Sequence, residues 1–250
     1  GGRCVHIFDL ERRSYQRIVE ANQRPFRSPS GLCPGPKGTV YVCDSEAVAI
    51  HQFVERTGNW QRTLRLTEDF HRPVALDFLE STAELLVVDV ASHDIKVLDP
   101  DGRLLRVIGR RGSAPGEFNY PCDITHDKSL VWVADSCNQR VQGLTYDGEA
   151  RLVFGEPGDA PGKMALPKGV AVDSDGNIYV VDARFENIQI FSREGDLLLV
   201  IGNEGRGPGE LSLPSGISID STNRIWICDT YNKRIQVLEP VKTTDAGDRP

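Results

Sequence analysis

Apolar residues in this chain come in short runs closed by Gly, Asp, Asn or Pro, and no stretch sustains a helical apolar period over several turns. The pattern predicts short strands joined by tight turns, with almost no helix. Residues 169–202 give the clearest copy. Gly169-Val-Ala-Val-Asp173 meets the turn Ser174-Asp-Gly-Asn177, and Ile178-Tyr-Val-Val181 ends on Asp182. Ile188-Gln-Ile-Phe191, the turn Arg193-Glu-Gly195 and Leu197-Leu-Leu-Val-Ile201 follow, closing at Gly202. Four strands in a hairpin meander are implied.

The unit recurs. Asp44, Asp89, Asp135, Asp182 and Asp229 close the second strand of five copies at spacings of 45, 46, 47 and 47 residues, while Pro29, Pro73, Pro121, Pro167 and Pro214 keep step at 44, 48, 46 and 47. A strand-only repeat of that length reads as the blade of a β-propeller, because four short strands use that much chain and one small sheet cannot bury both its faces alone. The fold class is therefore all-β, a β-propeller of four-stranded blades. Bulky residues gather in the second strands, at Val40 to Val42, Leu85 to Val88, Val131 to Val133 and Ile225 to Ile227. Continuous apolar runs suit a strand covered on both faces, so Tyr41, Trp132 and Trp226 are expected to fill the core.

Cys4-Val-His-Ile-Phe8 matches the third-strand segments Asn187-Ile-Gln-Ile-Phe191 and Arg234-Ile-Gln-Val-Leu238. Residues 1–20 thus read as a partial blade. Blades at about 29–67, 73–109, 121–155 and 167–202 follow, then three strands of a last blade at 214–239, all in one domain, 1–240, with 241–250 as a tail. That makes twenty-one strands, between the twenty of a five-bladed ring and the twenty-four of a six-bladed one. The reading favours a six-bladed parent with this chain N-terminally incomplete. The alternative is a closed five-bladed ring in which 15–19 supply the missing strand of the last blade. An uncompleted ring would leave backbone N–H and C=O groups at its edges and invite strand complementation by a partner.

The Pro-x-Gly-[Val/Ile]-x-[Val/Ile]-Asp runs at 167–173 and 214–220, the run Asn177-Ile-Tyr-Val-Val-Asp182 and the segment Tyr231-Asn-Lys-Arg-Ile-Gln-Val237 resemble NHL repeats. The chain as a whole is similar to bacterial six-bladed NHL-type propeller proteins. That resemblance implies a bacterial protein and an exported one, in the periplasm or at the cell exterior. Three places depart from the motif: Pro73 is followed by Val-Ala-Leu-Asp77, Asp123 stands where Gly belongs after Pro121, and Gly143 interrupts a third strand.

Two repeated devices look structural. The closing Asp carboxylates are placed to accept amide hydrogens of the turn that follows, in the manner of an Asx turn. The connections Gly109 to Phe118, Gly155 to Met164 and Gly202 to Leu211 share glycines and a Pro-Gly at fixed offsets, so one loop shape is expected three times. No Lys-Ser/Thr follows these glycines, which argues against a phosphate cradle. The six cysteines contain no Cys-x-x-Cys. Cys43 and Cys228 share one second-strand slot and read as small apolar fillers.

Function has to be sought where the copies differ. Five residues past the closing Asp stand Ala49, Asp94, Arg140, Asn187 and Arg234, and the neighbouring turns add Arg184, Phe185 and Tyr231. Arg140, Arg184, Phe185, Tyr231 and Arg234 are the binding-face residues this reading selects, since arginines and exposed aromatics suit a recognition surface. A non-catalytic scaffold or protein-binding platform, presenting its loops to a protein or peptide and needing no cofactor, is the favoured function. A metal-dependent hydrolase or lyase centred on the channel is the rival, with Asp77, Asp123 and His126 on first strands as the channel residues. RNA binding is a third reading. The net charge of −7 opposes it, and Arg106, Arg110 and Arg111 form the best basic cluster.

Overall fold

The computed structural model describes residues 3–240; the tail expected at 241–250 lies outside the described residues. β1 (Val5–Asp9) and β2 (Ser14–Ile18) form a hairpin, and β3 (Glu20–Ala21) and β4 (Arg24–Pro25) a small second one. The first full blade is β5 (Pro29–Gly35), β6 (Thr39–Asp44), β7 (Ala49–Val54) and β8 (Trp60–Arg65). The second is β9 (Pro73–Leu79), β10 (Glu84–Asp89), β11 (Asp94–Leu98) and β12 (Leu104–Ile108). The third is β13 (Pro121–His126), β14 (Val131–Asp135), β15 (Arg140–Leu144) and β16 (Ala150–Phe154). The fourth is β17 (Pro167–Val172), β18 (Ile178–Asp182), β19 (Asn187–Phe191) and β20 (Leu197–Ile201), and the fifth has three strands, β21 (Ile217–Ile219), β22 (Ile225–Asp229) and β23 (Arg234–Leu238). Every blade is an antiparallel meander, and the first strands of successive blades lie against one another, as strands nearest a propeller axis do.

With five radial sheets, the architecture matches the five-bladed alternative better than the six-bladed reading. One detail of that alternative is corrected. The strand assigned to residues 15–19 is β2, which pairs with β1 through Val5↔Ile18 to Asp9↔Ser14, while β23 is the last strand of its own sheet.

The repeated Pro and Asp meet each other. Pro29 pairs with Asp44, Pro73 with Asp89, Pro121 with Asp135 and Pro167 with Asp182, with a bulge immediately after each Pro. The bulge lets Pro, which has no N–H to give, begin a strand without breaking the ladder beyond it. The two departing first strands, at Pro73 and Pro121, keep the common register. Gly143 also has a reason: a Cβ there would lie 2.6 Å from the ring of Trp132 on the adjacent strand, so glycine makes room for the largest buried side chain.

Burial is organised between blades. Leu86 and Val88 pack with Val131 and Val133 of the third blade, whereas Leu85 and Val87 pack with Tyr41 and Ile50 of the first. One strand thus joins two cores, with successive side chains on opposite faces. The indole N–H of Trp132 donates to Asp127 at 3.1 Å, satisfying the polar end of this core aromatic. Trp226, expected in the core, is only half-buried on the last sheet, where its indole N–H donates to Asp220 at 2.9 Å. The connection loops repeat as expected: Arg111↔Phe118, Pro157↔Met164 and Glu204↔Leu211 form equivalent bridges, and Phe118, Met164 and Leu211 are buried between blades.

Candidate functional site

The five closing carboxylates are buried, and their donors are more numerous than the sequence implied. Asp182 accepts Arg184 and Phe185 N–H from the following turn, but also Ala165 and Leu166 N–H from the segment entering its own blade. Asp44 accepts Arg27, Ser28 and Ala47 N–H in the same way. Burial pushes the Asp89 carboxyl up. The N–H groups of His71 and Arg72, the Lys96 ammonium and the Ser92 N–H outweigh it and hold the group below the usual carboxylate range.

Two of the three binding-face arginines, Arg140 and Arg234, spend their guanidinium groups on internal hydrogen bonds rather than holding them free on the face, which corrects the expectation for both. The Arg140 guanidinium donates to Asp135 at 2.8 Å and to the carbonyls of Ser113, Ala114 and Glu117 at 2.7, 3.0 and 2.8 Å. Arg234 repeats the arrangement on Asp229 and the carbonyls of Arg206, Gly207 and Glu210. Both clamp the connection loop that precedes their blade. A glutamine two residues further on completes the clamp: Gln142, Gln189 and Gln236 accept the N–H of Gly116, Gly162 and Gly209, and donate to the carbonyls of Glu117, Lys163 and Glu210. These glutamines stand seven residues past Asp135, Asp182 and Asp229, with His51 and Lys96 in the first two blades, yet nothing in the sequence joined them to the loop.

Arg184 and Tyr231 are exposed in the turns after β18 and β22, Tyr231 at 67%, with Phe185 half-buried. In the basic cluster, Arg111 is exposed without an ion pair among the described residues, and the other two arginines are paired. Arg106 forks onto Glu84 at 2.6 and 2.9 Å, and Arg110 donates to Glu117 at 2.9 Å. Cys43 and Cys228 share a slot but not an environment. Cys43 is buried, with Sγ donating to the Pro73 carbonyl of the next blade, whereas Cys228, on the last sheet, is exposed.

The channel residues are where the copies truly part. Asp77 lies in the middle of β9 and His126 at the end of β13, on the faces these two neighbouring first strands turn toward each other. His126 Nδ1 lies 2.6 Å from Asp77 Oδ2. The hydrogen bond to Asp77 raises the imidazole pKa against the opposing effect of burial, and the charges of Asp77, Asp127 and Glu80 act in the same upward direction. With Nδ1–H held by the carboxylate, Nε2 is the basic nitrogen, and it has no hydrogen bond among the described residues.

Asp123 is on the opposite face of β13, turned toward the fourth blade, where Oδ2 accepts the Val170 N–H at 2.9 Å. Gly31 and Gly169 hold the equivalent place in other blades, and a Cβ on Gly169 would come within 2.6 Å of the Ser215 carbonyl of the next blade. Burial of Asp123 in this close approach, opposed by the Val170 and Ile124 N–H groups and reinforced by the Asp77 charge, raises its pKa to about 7. The structure therefore brings Asp77 and His126 into contact and sets Asp123 apart, on the far side of the same strand. Among the described residues, no group of three or more His, Cys, Asp or Glu is placed to hold a metal ion.

A protein family described as a 6-bladed beta-propeller matches residues 170–237. No curated protein matches the chain. Among solved structures, a catalytically inactive virginiamycin B lyase from Staphylococcus aureus with quinupristin is similar at TM-score 0.64 and 18% identity, over 92% of this chain and 75% of that one. A streptogramin B lyase gives 0.65 and 15%, over 96% and 77% of the two chains. A nidogen/laminin complex gives 0.71 and 17%, over 96% and 91%. At such identities the likeness is one of fold, and the chain is a β-propeller.

Proposed function

We propose that this propeller is a hydrolase or lyase whose proton-transferring group is His126, oriented and made more basic by Asp77. The 2.6 Å contact between the two side chains across neighbouring blades carries the reading. A carboxylate on Nδ1–H fixes the tautomer, leaves Nε2 as the base and stabilises the imidazolium formed when Nε2 takes a proton. The donor set does not fit a resident metal ion, so the reading assigns proton transfer to the dyad itself. Similarity to lyase-type propellers supports the reaction class.

The test is turnover. Quinupristin is the first probe, because a structurally similar lyase carries it, followed by a panel of lactones and cyclic esters, with ring opening followed by mass spectrometry. A substrate should be found whose kcat/KM falls about 10²–10⁴-fold in His126→Ala. Absence of turnover across the panel, or turnover indifferent to His126→Ala, contradicts the proposal.

A second reading, the protein-binding platform, is supported by one observation: Arg184 and Tyr231 are exposed on adjacent blades. A peptide or protein partner captured there would be released by Arg184→Ala with Tyr231→Ala, while His126 titration stays unchanged. Strand complementation at β23 belongs to the same reading. The NHL character of the blades and a six-bladed parent are further parts of the proposal, supported by the Pro-x-Gly motif and the family matched at 170–237.

A further inference from the structure

A groove of about 570 Å³ opens at the rim between β2, the β3–β4 hairpin and the turn joining β7 to β8. Its chemistry is unlike that of the channel. Gln16, Asn22, Gln23 and Asn59 bring four carboxamides to it, and Trp60 brings an indole that is 37% exposed. Arg17 and Glu20 add one charge of each sign. The side-chain amides of Asn22, Gln23 and Asn59 have no hydrogen bond among the described residues, and Gln16 makes one long contact, 3.4 Å to the Arg56 carbonyl.

The backbone holds two of these amides at a tip. Asn22 and Gln23 form the two-residue turn between β3 and β4, both with positive φ, 49° and 62°. A two-residue hairpin turn of this hand suits the strand twist, but a glutamine there is strained, and such strain gathers at ligand sites. Trp60 is anchored along one edge by its Nε1–H, which donates to Thr63 Oγ1 at 3.3 Å.

We propose that this groove binds a neutral oligosaccharide. Sugar hydroxyls donate and accept at once, as carboxamides do, and the C–H face of a pyranose packs on an aromatic ring. The opposite charges of Arg17 and Glu20 give no preference for an anion or a cation. Ile18, Val19 and the indole supply an apolar flank for the C–H face of a pyranose, while the carboxamides meet its hydroxyls.

The intact protein is titrated separately with maltohexaose, cellohexaose, xylohexaose and chitohexaose, followed by tryptophan fluorescence and by amide and indole NMR shifts. At least one sugar should bind saturably and shift the Trp60 indole, with affinity weakened at least about tenfold in Trp60→Ala and in Asn59→Ala. Asn22→Gly with Gln23→Gly removes two amides while glycine keeps the positive φ, so it should weaken binding without loss of folding. Asp175→Ala, on an exposed turn of the fourth blade, should leave affinity unchanged. The proposal is overturned if no sugar binds, if binding is indifferent to these groove variants, or if a peptide occupies the groove and the sugars do not.

Discussion

Arg140 is buried with Asp135 against its Nε and three loop carbonyls around its terminal nitrogens. Truncation leaves a buried carboxylate without its cation, so Arg140→Ala should lower the unfolding free energy by about 3–5 kcal/mol. Arg184→Ala, on an exposed turn, should stay within about 0.5 kcal/mol of the parent. Urea unfolding checks both, and equal small effects would contradict the clamp. Gly143→Ala drives a methyl into the Trp132 ring and should cost about 1–3 kcal/mol in the same measurement. Asp123 predicts a pH dependence. Its folded pKa, about 7, lies above the unfolded value, so the folded state holds the proton longer and stability falls as pH rises from the ordinary carboxylate range through about 7. Asp123→Gly, matching Gly31, Gly169 and Gly216 of three other blades, should flatten that slope. Asp89, shifted down, acts with the opposite sign, and its contribution is lost as pH falls through its depressed pKa. Asp77, Asp123 and His126 were legible as first-strand residues, and the odd spacing of Asp123 and His126 puts them on opposite faces of β13. That Asp77 of the preceding blade meets His126 was not legible, because it depends on how neighbouring first strands pack.

The connection loops show what an element inherits from its neighbours. Their glycines and Pro-Gly pairs made the shared shape legible, since positive φ and a fixed proline bend are local properties. What holds them was not legible, because Gln189 and its counterparts reach back about half a repeat to a loop folded over them. Gln189→Ala leaves the Gly162 N–H and the Lys163 carbonyl without that partner, a loss of about 1–3 kcal/mol if both stay buried. Hydrogen exchange at Gly162 should accelerate in the variant while exchange in β17 stays slow. Unchanged exchange at Gly162 would show that the loop keeps its shape without the glutamine. The second strands were legible from composition alone, as Val87 and Val88 are fully buried on opposite faces of β10. The shared Cys slot misled at Cys228, because burial there depends on a following blade, and among the described residues none covers that face of β22.

At the scale of the molecule, each core cluster is shared by two adjacent blades, and the repeat therefore encodes an interface as much as a sheet. Leu86→Ala should loosen the second and third blades together, at about 2–5 kcal/mol. The site follows the same logic, since Asp77 and His126 belong to different blades and meet only because their first strands pack side by side. The account's central claim is that this inter-blade contact makes His126 the working base. NMR titration of the five histidines in the parent and in Asp77→Asn tests it most directly. The account predicts a His126 pKa above the ordinary histidine value, falling in Asp77→Asn while the other four curves stay in place. A His126 that titrates at the ordinary value in the parent, or that ignores Asp77→Asn, would contradict it.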